Sequence, residues 1–463
     1  MSEQMNRTIA QLRRALDAGE TSSQALVERM LAAAADPAGE GKLVYRKLYA
    51  EQARAQSIAF DACRKAGMTS AQLGPLAGMP ISIKDLFDIA GDLTAAGSVV
   101  LRDRPAATRD APAMQRLRAA GAILIGRTNM TEWAYGAVGA NGHYGTPRCV
   151  WDRSVDGGTG RIPGGSTSGG AISVTDGMAV ATIGSDTGGS VRIPAALNGL
   201  AGFKPTARRV PLEGAFPLSR LDSIGPLARS LGDCVLLDAI MAGEEASASR
   251  GGLSLRGLRL GVCRNQLQDN LDPEIAQPYE RALSRLSAAG AQLIDFTWSE
   301  LDEYAAINSK GGFSAAECHA RHRHLLDSRS SEIDPWVVVR LAPGAKQTAA
   351  DYIELTAARS DWIARSEARL AQFDALITPT VPVVAPRIKP ILDDLATLGE
   401  YFKANSAVLR NCQYINFLDG CGLTLPIHDQ QCAPAGLMIA GPAMSDKRVL
   451  AIGLAVEAQL RAV

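Results

Sequence analysis

The chain has almost no charge bias. Its 463 residues carry 48 Lys+Arg against 48 Asp+Glu, a formal net charge of zero. That excludes the broad basic footprint of a nucleic-acid-binding or membrane-surface protein. No window reaches 18 apolar residues, so no membrane-spanning helix is expected. Eight cysteines are scattered, and no pair has C-x-x-C spacing. The density is too low for a disulfide scaffold. The opening MSEQMNRTIAQLRRALDAGE has no apolar h-region and no small-residue cleavage site, so a cytoplasmic location is expected.

Histidine is scarcer still, with only five in the chain. Familiar signatures are missing with it. There is no G-x-x-x-x-G-K-[ST] run and no G-x-G-x-x-G, which removes phosphate loops and dinucleotide folds. No serine sits in a G-x-S-x-G elbow: Ser190 has Gly188 at −2 but Arg192 at +2, and Ser166 has Gly164 at −2 but Ser168 at +2. The S-x-x-K pattern fails at both serines, where the third residue on is Gly169 or Ile193. His143, in a glycine-rich loop, and His428, after a Leu-Pro-Ile strand, are the histidines open to a Ser-His-Asp arrangement. Cys318-His319-Ala320-Arg321-His322-Arg323-His324 offers metal-ligating atoms at helical spacing. Arginines beside them would repel a dication, and no carboxylate joins the set, so this stretch reads as a solvated basic helix face and no metal is expected.

What the chain does have is glycine around serine. Gly164-Gly165-Ser166-Thr167-Ser168-Gly169-Gly170 and Gly184-Ser185-Asp186-Thr187-Gly188-Gly189-Ser190-Val191-Arg192-Ile193-Pro194 place Ser166 and Ser190 24 positions apart. Serine is a poor nucleophile until a base takes its proton. Glycines let backbone N–H groups crowd a reacting oxygen, as an oxyanion hole requires. The pair reads as a nucleophile and its hole, without a histidine nearby. Lys84 ends the apolar-alternating strand Ile81-Ser82-Ile83. A lysine desolvated there has a lowered pKa and a neutral amine available as base. Alone, such a lysine would be read as a surface charge; the two serine runs change that reading.

The rhythm of the chain suggests an α/β protein. Residues 1 to about 70 read as helical, with Thr21-Ser22-Ser23-Gln24 as an N-cap region. A helix from Met114 stops at Gly121, and Ala122–Ile125 follows as a buried strand. Ser168–Thr175 reads as helix and Met178–Ile183 as the strand that leads into the second serine turn. Further strands are expected at 258–262, 292–294 and 375–380, with helices over 275–290, through most of 300–370, and from Lys447. Gly157-Gly158-Thr159-Gly160 reads as a flexible insertion. No repeat and no low-complexity linker marks a boundary.

The combination of lysine and two glycine-flanked serines resembles the amidase signature family, whose catalytic triad is Ser-cisSer-Lys. The resemblance is carried by Gly78–Asp85, Gly126–Trp133, Pro163–Ser166, Gly184–Pro194 and Gly199–Thr206, more weakly by Thr378–Thr380 and Pro434–Pro442, and covers nearly the whole chain. It implies one domain over 1–463, with residues 1–70 packing on a large mixed sheet covered by helices on both faces. It implies Ser190 as nucleophile, Ser166 as proton relay and Lys84 as base. The oxyanion hole would be the N–H groups of Thr187, Gly188, Gly189 and Ser190. Asp186 and Arg192 would hold the turn in shape. The substrate pocket would draw on Trp133, Tyr135, His143 and Gly165. Thr167 and Ser168 depart from the usual run after the glycine pair, and the insertion at 154–161 is expected to reshape the entrance. The implied activity is hydrolysis of a small carboxylic amide through an acyl-enzyme, without cofactor or metal. The implied partners are that substrate and a second copy in a homodimer, with neither nucleic acid nor membrane. The alternative is the glutaminase component of a tRNA-dependent amidotransferase.

Overall fold

The computed structural model describes residues 7–245 and 252–461. Its centre is an eleven-stranded sheet: β1 (Tyr45–Leu48), β2 (Met79–Lys84), β3 (Ala122–Thr128), β4 (Ala181–Asp186), β5 (Ala201–Lys204), β6 (Ser223–Ala228), β7 (Arg259–Cys263), β8 (Gln292–Phe296), β9 (Ala375–Pro379), β10 (Cys421–Pro426) and β11 (Gly436–Gly441). Their spatial order is β1-β3-β2-β4-β6-β5-β10-β11-β9-β7-β8. The sheet is mixed. β2 runs parallel to β3 and β4, and β7 runs parallel to β8 and β9; the remaining pairs are antiparallel. Side chains alternate faces along a strand. Every residue of β2, β3, β4, β6 and β11 is buried, so both faces are covered there.

The apolar runs read from sequence land on strands. The expected strand at Met178–Ile183 begins later, at Ala181, and continues to Asp186. The N–H groups of Met178 and Ala179 instead close the preceding helix on the Ser173 carbonyl, at 2.7 and 2.9 Å. The N-terminal stretch is helical over Ile9–Asp17, Ser23–Ala35 and Ala50–Lys65, but β1 interrupts it as an edge strand on β3. Ser22 is the N-cap and accepts the Ala25 N–H at 3.0 Å. Residues 1–6 of that stretch lie outside the described residues. The insertion is pinned rather than loose. Arg148 donates to the Gly158 carbonyl at 2.7 Å, Arg161 pairs with Asp152 at 2.8 Å, and the Ile162 N–H donates to the Pro386 carbonyl at 2.9 Å.

Glycine in the middle of the sheet has a steric reason. Gly225 on β6 faces Gly184 on β4. A Cβ on Gly225 would sit 2.0 Å from the Phe203 carbonyl oxygen of neighbouring β5, so that backbone would have to shift. Gly225→Ala is therefore expected to destabilise the protein by about 3 kcal/mol, as overpacking of a close-packed interior does. Urea unfolding of the variant beside the parent checks this, with a lowered midpoint as the expected result.

Candidate active site

β2 and β4 are parallel neighbours, and their C-terminal ends bring Lys84 and the turn after Asp186 together. Lys84 is fully buried. Its Nζ donates to Ser166 Oγ at 2.7 Å and to Ser185 Oγ at 2.9 Å. Both acceptors are neutral hydroxyls. Burial pulls the Lys84 amine down to about 7, against the opposing charges of Asp186 and Asp222. An amine at that value is part neutral at neutral pH and able to accept a proton.

Ser166 follows Gly165 across a cis peptide bond. Its carbonyl accepts the Thr131 N–H at 3.2 Å, and the Gly165 N–H donates to the Ala137 carbonyl at 2.7 Å. Gly165 has no room for a side chain, because a Cβ there would lie 2.6 Å from the Gly139 nitrogen. The next residue joins the two serine runs: Thr167 Oγ1 donates to the Ser190 carbonyl at 2.6 Å. Thr167 departs from the usual run after the glycine pair, and in the fold its hydroxyl holds the backbone of Ser190.

Asp186 organises the turn that follows. Its carboxylate accepts the N–H groups of Gly189 at 2.8 Å and Val191 at 3.1 Å. It also accepts Arg192 Nε at 3.1 Å and Nη2 at 3.0 Å, and Asn416 Nδ2 at 2.9 Å. Asp186 and Arg192 are both fully buried. Burial pushes the Asp186 carboxyl up, but the charge and hydrogen bonds of Arg192 outweigh it and hold the group well below the usual carboxylate range. The two charges form a buried, multiply bonded pair. Asn416, absent from the sequence reading, completes it by also accepting from Arg192 and donating to the Asp186 carbonyl.

The bond from Gly189 to Asp186 revises the expected four-donor hole. That N–H is already committed. Those of Thr187, Gly188 and Ser190 find no acceptor among the described residues. These three residues line one side of a cavity of about 260 Å³. Its other walls include Tyr135, Leu218, Leu221, Tyr304, Phe313 and Leu409, with Asn308, Ser314, Gln413 and Arg340 as polar members. Ser190 is 6% exposed and opens onto this space. A larger cavity of about 1010 Å³ lies beside the helices Leu231–Ala242 and Asp446–Arg461 and is lined by none of these groups.

The other expected pocket residues separate. Tyr135 is at the wall, and its hydroxyl donates to the Arg340 carbonyl at 3.3 Å. Trp133 lies outside it, fully buried with φ +54°, its ring 5.1 Å from that of His322. Gly165 does not line the cavity and packs as backbone against Gly139. His143 also lies outside, and Nε2 meets Glu132 Oε1 at 3.2 Å and Asp334 Oδ1 at 3.8 Å. The hydrogen bond to Glu132 raises the His143 pKa, while burial and the Glu132 charge push Asp334 up to about 7. Among the described residues, this trio brings metal-ligating atoms together, within 4.8 Å. The stretch 318–324 does not. Cys318 and His322 turn inward, His322 stacking on Phe216 at 4.5 Å, and Arg321 donates to the Leu218 carbonyl at 3.3 Å, whereas Arg323 and His324 face outward. No residue of 154–161 lines the cavity, so the insertion does not shape this entrance. Ser185, the second partner of Lys84, was missed; the parallel pairing of Ile83 with Ile183 is the signal that places it beside the lysine. No described helix is long and apolar enough to cross a membrane.

With this geometry in hand, comparison with known proteins is specific. The sequence profile of the family Amidase matches residues 26–450. The chain is 34% identical over 418 residues to 2-amino-5-chloromuconic acid deaminase of Comamonas testosteroni, covering 89% of this chain and 88% of that protein. It is 33% identical over 488 residues to one of the subunits of the glutamyl-tRNA(Gln) amidotransferase of Deinococcus radiodurans, covering 97% of each. A solved amidase structure superposes with a TM-score of 0.85 at 32% identity, over 98% of this chain and 100% of that one. An eleven-stranded mixed sheet, a buried lysine between serine hydroxyls and a match spanning most of the chain converge on one conclusion: the protein belongs to the amidase signature family and is an amidohydrolase.

Proposed function

We propose that the protein hydrolyses a small-molecule carboxylic amide to acid plus ammonia or amine through an acyl-enzyme on Ser190. The observation that carries this reading is the buried Lys84 amine, 2.7 Å from Ser166 Oγ, with hydroxyls rather than carboxylates as its hydrogen-bond partners. Neutral Lys84 takes the proton of Ser166 as Ser166 takes that of Ser190. Ser190 Oγ forms a bond to the amide carbon, and the carbonyl oxygen becomes an oxyanion. The free N–H groups of Thr187, Gly188 and Ser190 receive it; one such donor is worth about 3 kcal/mol in other acyl-transfer sites. The C–N bond breaks as the proton returns through Ser166 to the leaving nitrogen, which would otherwise depart as an unstable anion. Water then attacks the ester, using the same relay, and frees the acid and Ser190.

The cavity supports a small substrate, since about 260 Å³ is below the range of drug-sized pockets. Its aromatic and aliphatic walls suit an apolar or planar acyl group. Arg340 is the one charged side chain among the lining residues. It donates to the Tyr135 carbonyl at 2.7 Å and lies over the Tyr135 ring at 4.4 Å. A fixed cation with no acidic neighbour in the wall favours neutral or anionic substrates over cationic ones.

A second reading, the glutaminase component of a tRNA-dependent amidotransferase, draws on the 97% mutual coverage with the Deinococcus radiodurans protein. One experiment separates them: ammonia release by the purified chain alone, from glutamine and from a panel of aryl, aliphatic and dicarboxylic monoamides. Turnover of a monoamide without any partner supports the stand-alone hydrolase. Glutamine turnover that needs a partner supports the amidotransferase component. Ser190→Ala is expected to lose turnover and fluorophosphonate labelling together; retained turnover overturns the nucleophile assignment.

The pH dependence follows from Lys84. The neutral amine is the active form and the group titrates at about 7, so kcat/KM is expected to rise with pH through that value and level off above it. A profile flat from pH 5 to 9 contradicts the lysine base.

A further inference from the structure

Asp222 sits one residue before β6, at the end of a loop that carries Leu218 and Leu221 into the cavity wall. It is buried, and both of its carboxylate oxygens accept hydrogen bonds. Thr187 Oγ1 donates to Oδ1 at 2.6 Å. The N–H groups of Leu218 and Ser219 donate to Oδ2 at 2.8 and 3.0 Å. The following residue grips the same turn: Ser223 Oγ donates to the Asp186 carbonyl at 3.0 Å, and Ser223 pairs with Asp186 across β4 and β6. One oxygen of Asp222 therefore holds the residue that supplies an unpaired N–H beside Ser190. The other holds the backbone of the loop that carries Leu218 and Leu221 into the lining.

We propose that Asp222 is a positioning residue for the hydrolysis, fixing the Thr187 N–H in the oxyanion hole and locking the Leu218–Leu221 wall to it. This inference rests on the acyl-enzyme reading given above. Its physical content is preorganisation. Donors aimed at a developing charge accelerate a reaction only if they are held there beforehand, because reorganising them in the transition state returns the gain. Thr187 lies in a turn, not in a strand, so its orientation depends on what its side chain grips. A substrate filling the space between Leu218 and Leu221 bears on the same carboxylate that aims the donor.

The carboxylate has a second, electrostatic effect. Lys84 feels the charges of Asp186 from β4 and Asp222 from the loop, and both favour its protonated form. Burial pushes the Asp222 carboxyl up, while the hydrogen bonds of Thr187, Ser219 and Leu218 and the charge of Arg321 favour its ionised form; Arg321 and Cys318, whose thiol pKa is raised by burial, both lie on the helix Gly312–Arg329. Replacing Asp222 by asparagine removes one of the two carboxylates that favour lysinium. The acid limb of the rate profile then moves to lower pH. A residue that only supports folding would not move it.

The test uses Asp222→Asn, Thr187→Val and Thr187→Ser, assayed on whichever amide the parent enzyme turns over. Thr187→Val is expected to lower kcat about tenfold with KM changed less, the loss of one hydrogen bond to a charged group. Thr187→Ser, which keeps the hydroxyl, is expected to restore most of it. Asp222→Asn is expected to lower kcat about tenfold or more and to shift the acid limb downward. The double variant Asp222→Asn/Thr187→Val is expected to be little worse than Asp222→Asn, since the two act through one bond. Parent-like kcat in Thr187→Val, or an unmoved acid limb in Asp222→Asn, overturns the proposal. If Asp222→Asn does not fold, the pair of Thr187 variants decides alone. Fluorophosphonate labelling of Ser190 in the parent separates the two levels. Labelling with unaffected variants overturns only the role of Asp222, whereas absence of labelling overturns the acyl-enzyme reading and this inference with it.

Discussion

A buried amine with hydroxyl partners is the constraint around which this site is built. Charged lysine is costly inside a protein, and pairing it with a carboxylate is the usual remedy. Here Nζ of Lys84 meets Ser166 and Ser185 instead. Desolvation then dominates, and the nearby charges of Asp186 and Asp222 recover only part of the loss. Its pKa falls to about 7 because the fold withholds a counterion at contact distance. Had either aspartate been its direct partner, the lysine would be locked in its protonated form.

The two aspartates are kept from that role by being occupied elsewhere. Asp186 is saturated by Arg192, Asn416 and the turn's own N–H groups. Asp222 is saturated by Thr187 and the loop backbone. Each spends its charge on shaping the turn that carries Ser190, and what remains acts on Lys84 at a distance. The same bonds commit the Gly189 N–H, while those of Thr187, Gly188 and Ser190 find no acceptor among the described residues. Architecture and electrostatics are thus one arrangement, in which the carboxylates that hold the turn in shape also act on the Lys84 amine.

Much of this was legible from residue order. The strand ending at Lys84, the two glycine-flanked serine runs and the mostly helical stretch over 300–370 follow from local patterns of apolar spacing and glycine, and Asp186 and Arg192 stand out as opposite charges flanking the second run. The strands that escaped are instructive. β5 and β6 carry Gly202, Gly225 and Pro226, residues that read as strand breakers. Gly225 is needed because the Phe203 carbonyl approaches too closely for a side chain. β1 lies within a helical stretch and exists because β3 offers it an edge. Close approach and edge pairing are properties of neighbours distant in sequence, which local pattern does not encode. The pocket residues divided for the same reason. Tyr135 reached the wall, while Trp133, two positions earlier, turned into the core, because a left-handed backbone at Trp133 and Ala134 redirects the chain.

By itself the sequence determined the chemical inventory: a lysine at a strand end, two serines among glycines, a scarcity of histidine and a balanced charge. Those suffice to specify a class of chemistry, because residue identity and short-range spacing are local facts. Only the tertiary structure decided how the inventory is wired. It placed Ser185 beside Lys84, used Thr167 to hold Ser190, brought Asn416 to the Asp186–Arg192 pair, took Gly189 out of the free donors and set Asp222 against Thr187. It also moved His143 out of the cavity, into contact with Glu132 and Asp334. Most of these are contacts between positions far apart in the chain. They arise when eleven strands close into one sheet, where burial makes each polar group find a partner wherever the fold supplies one.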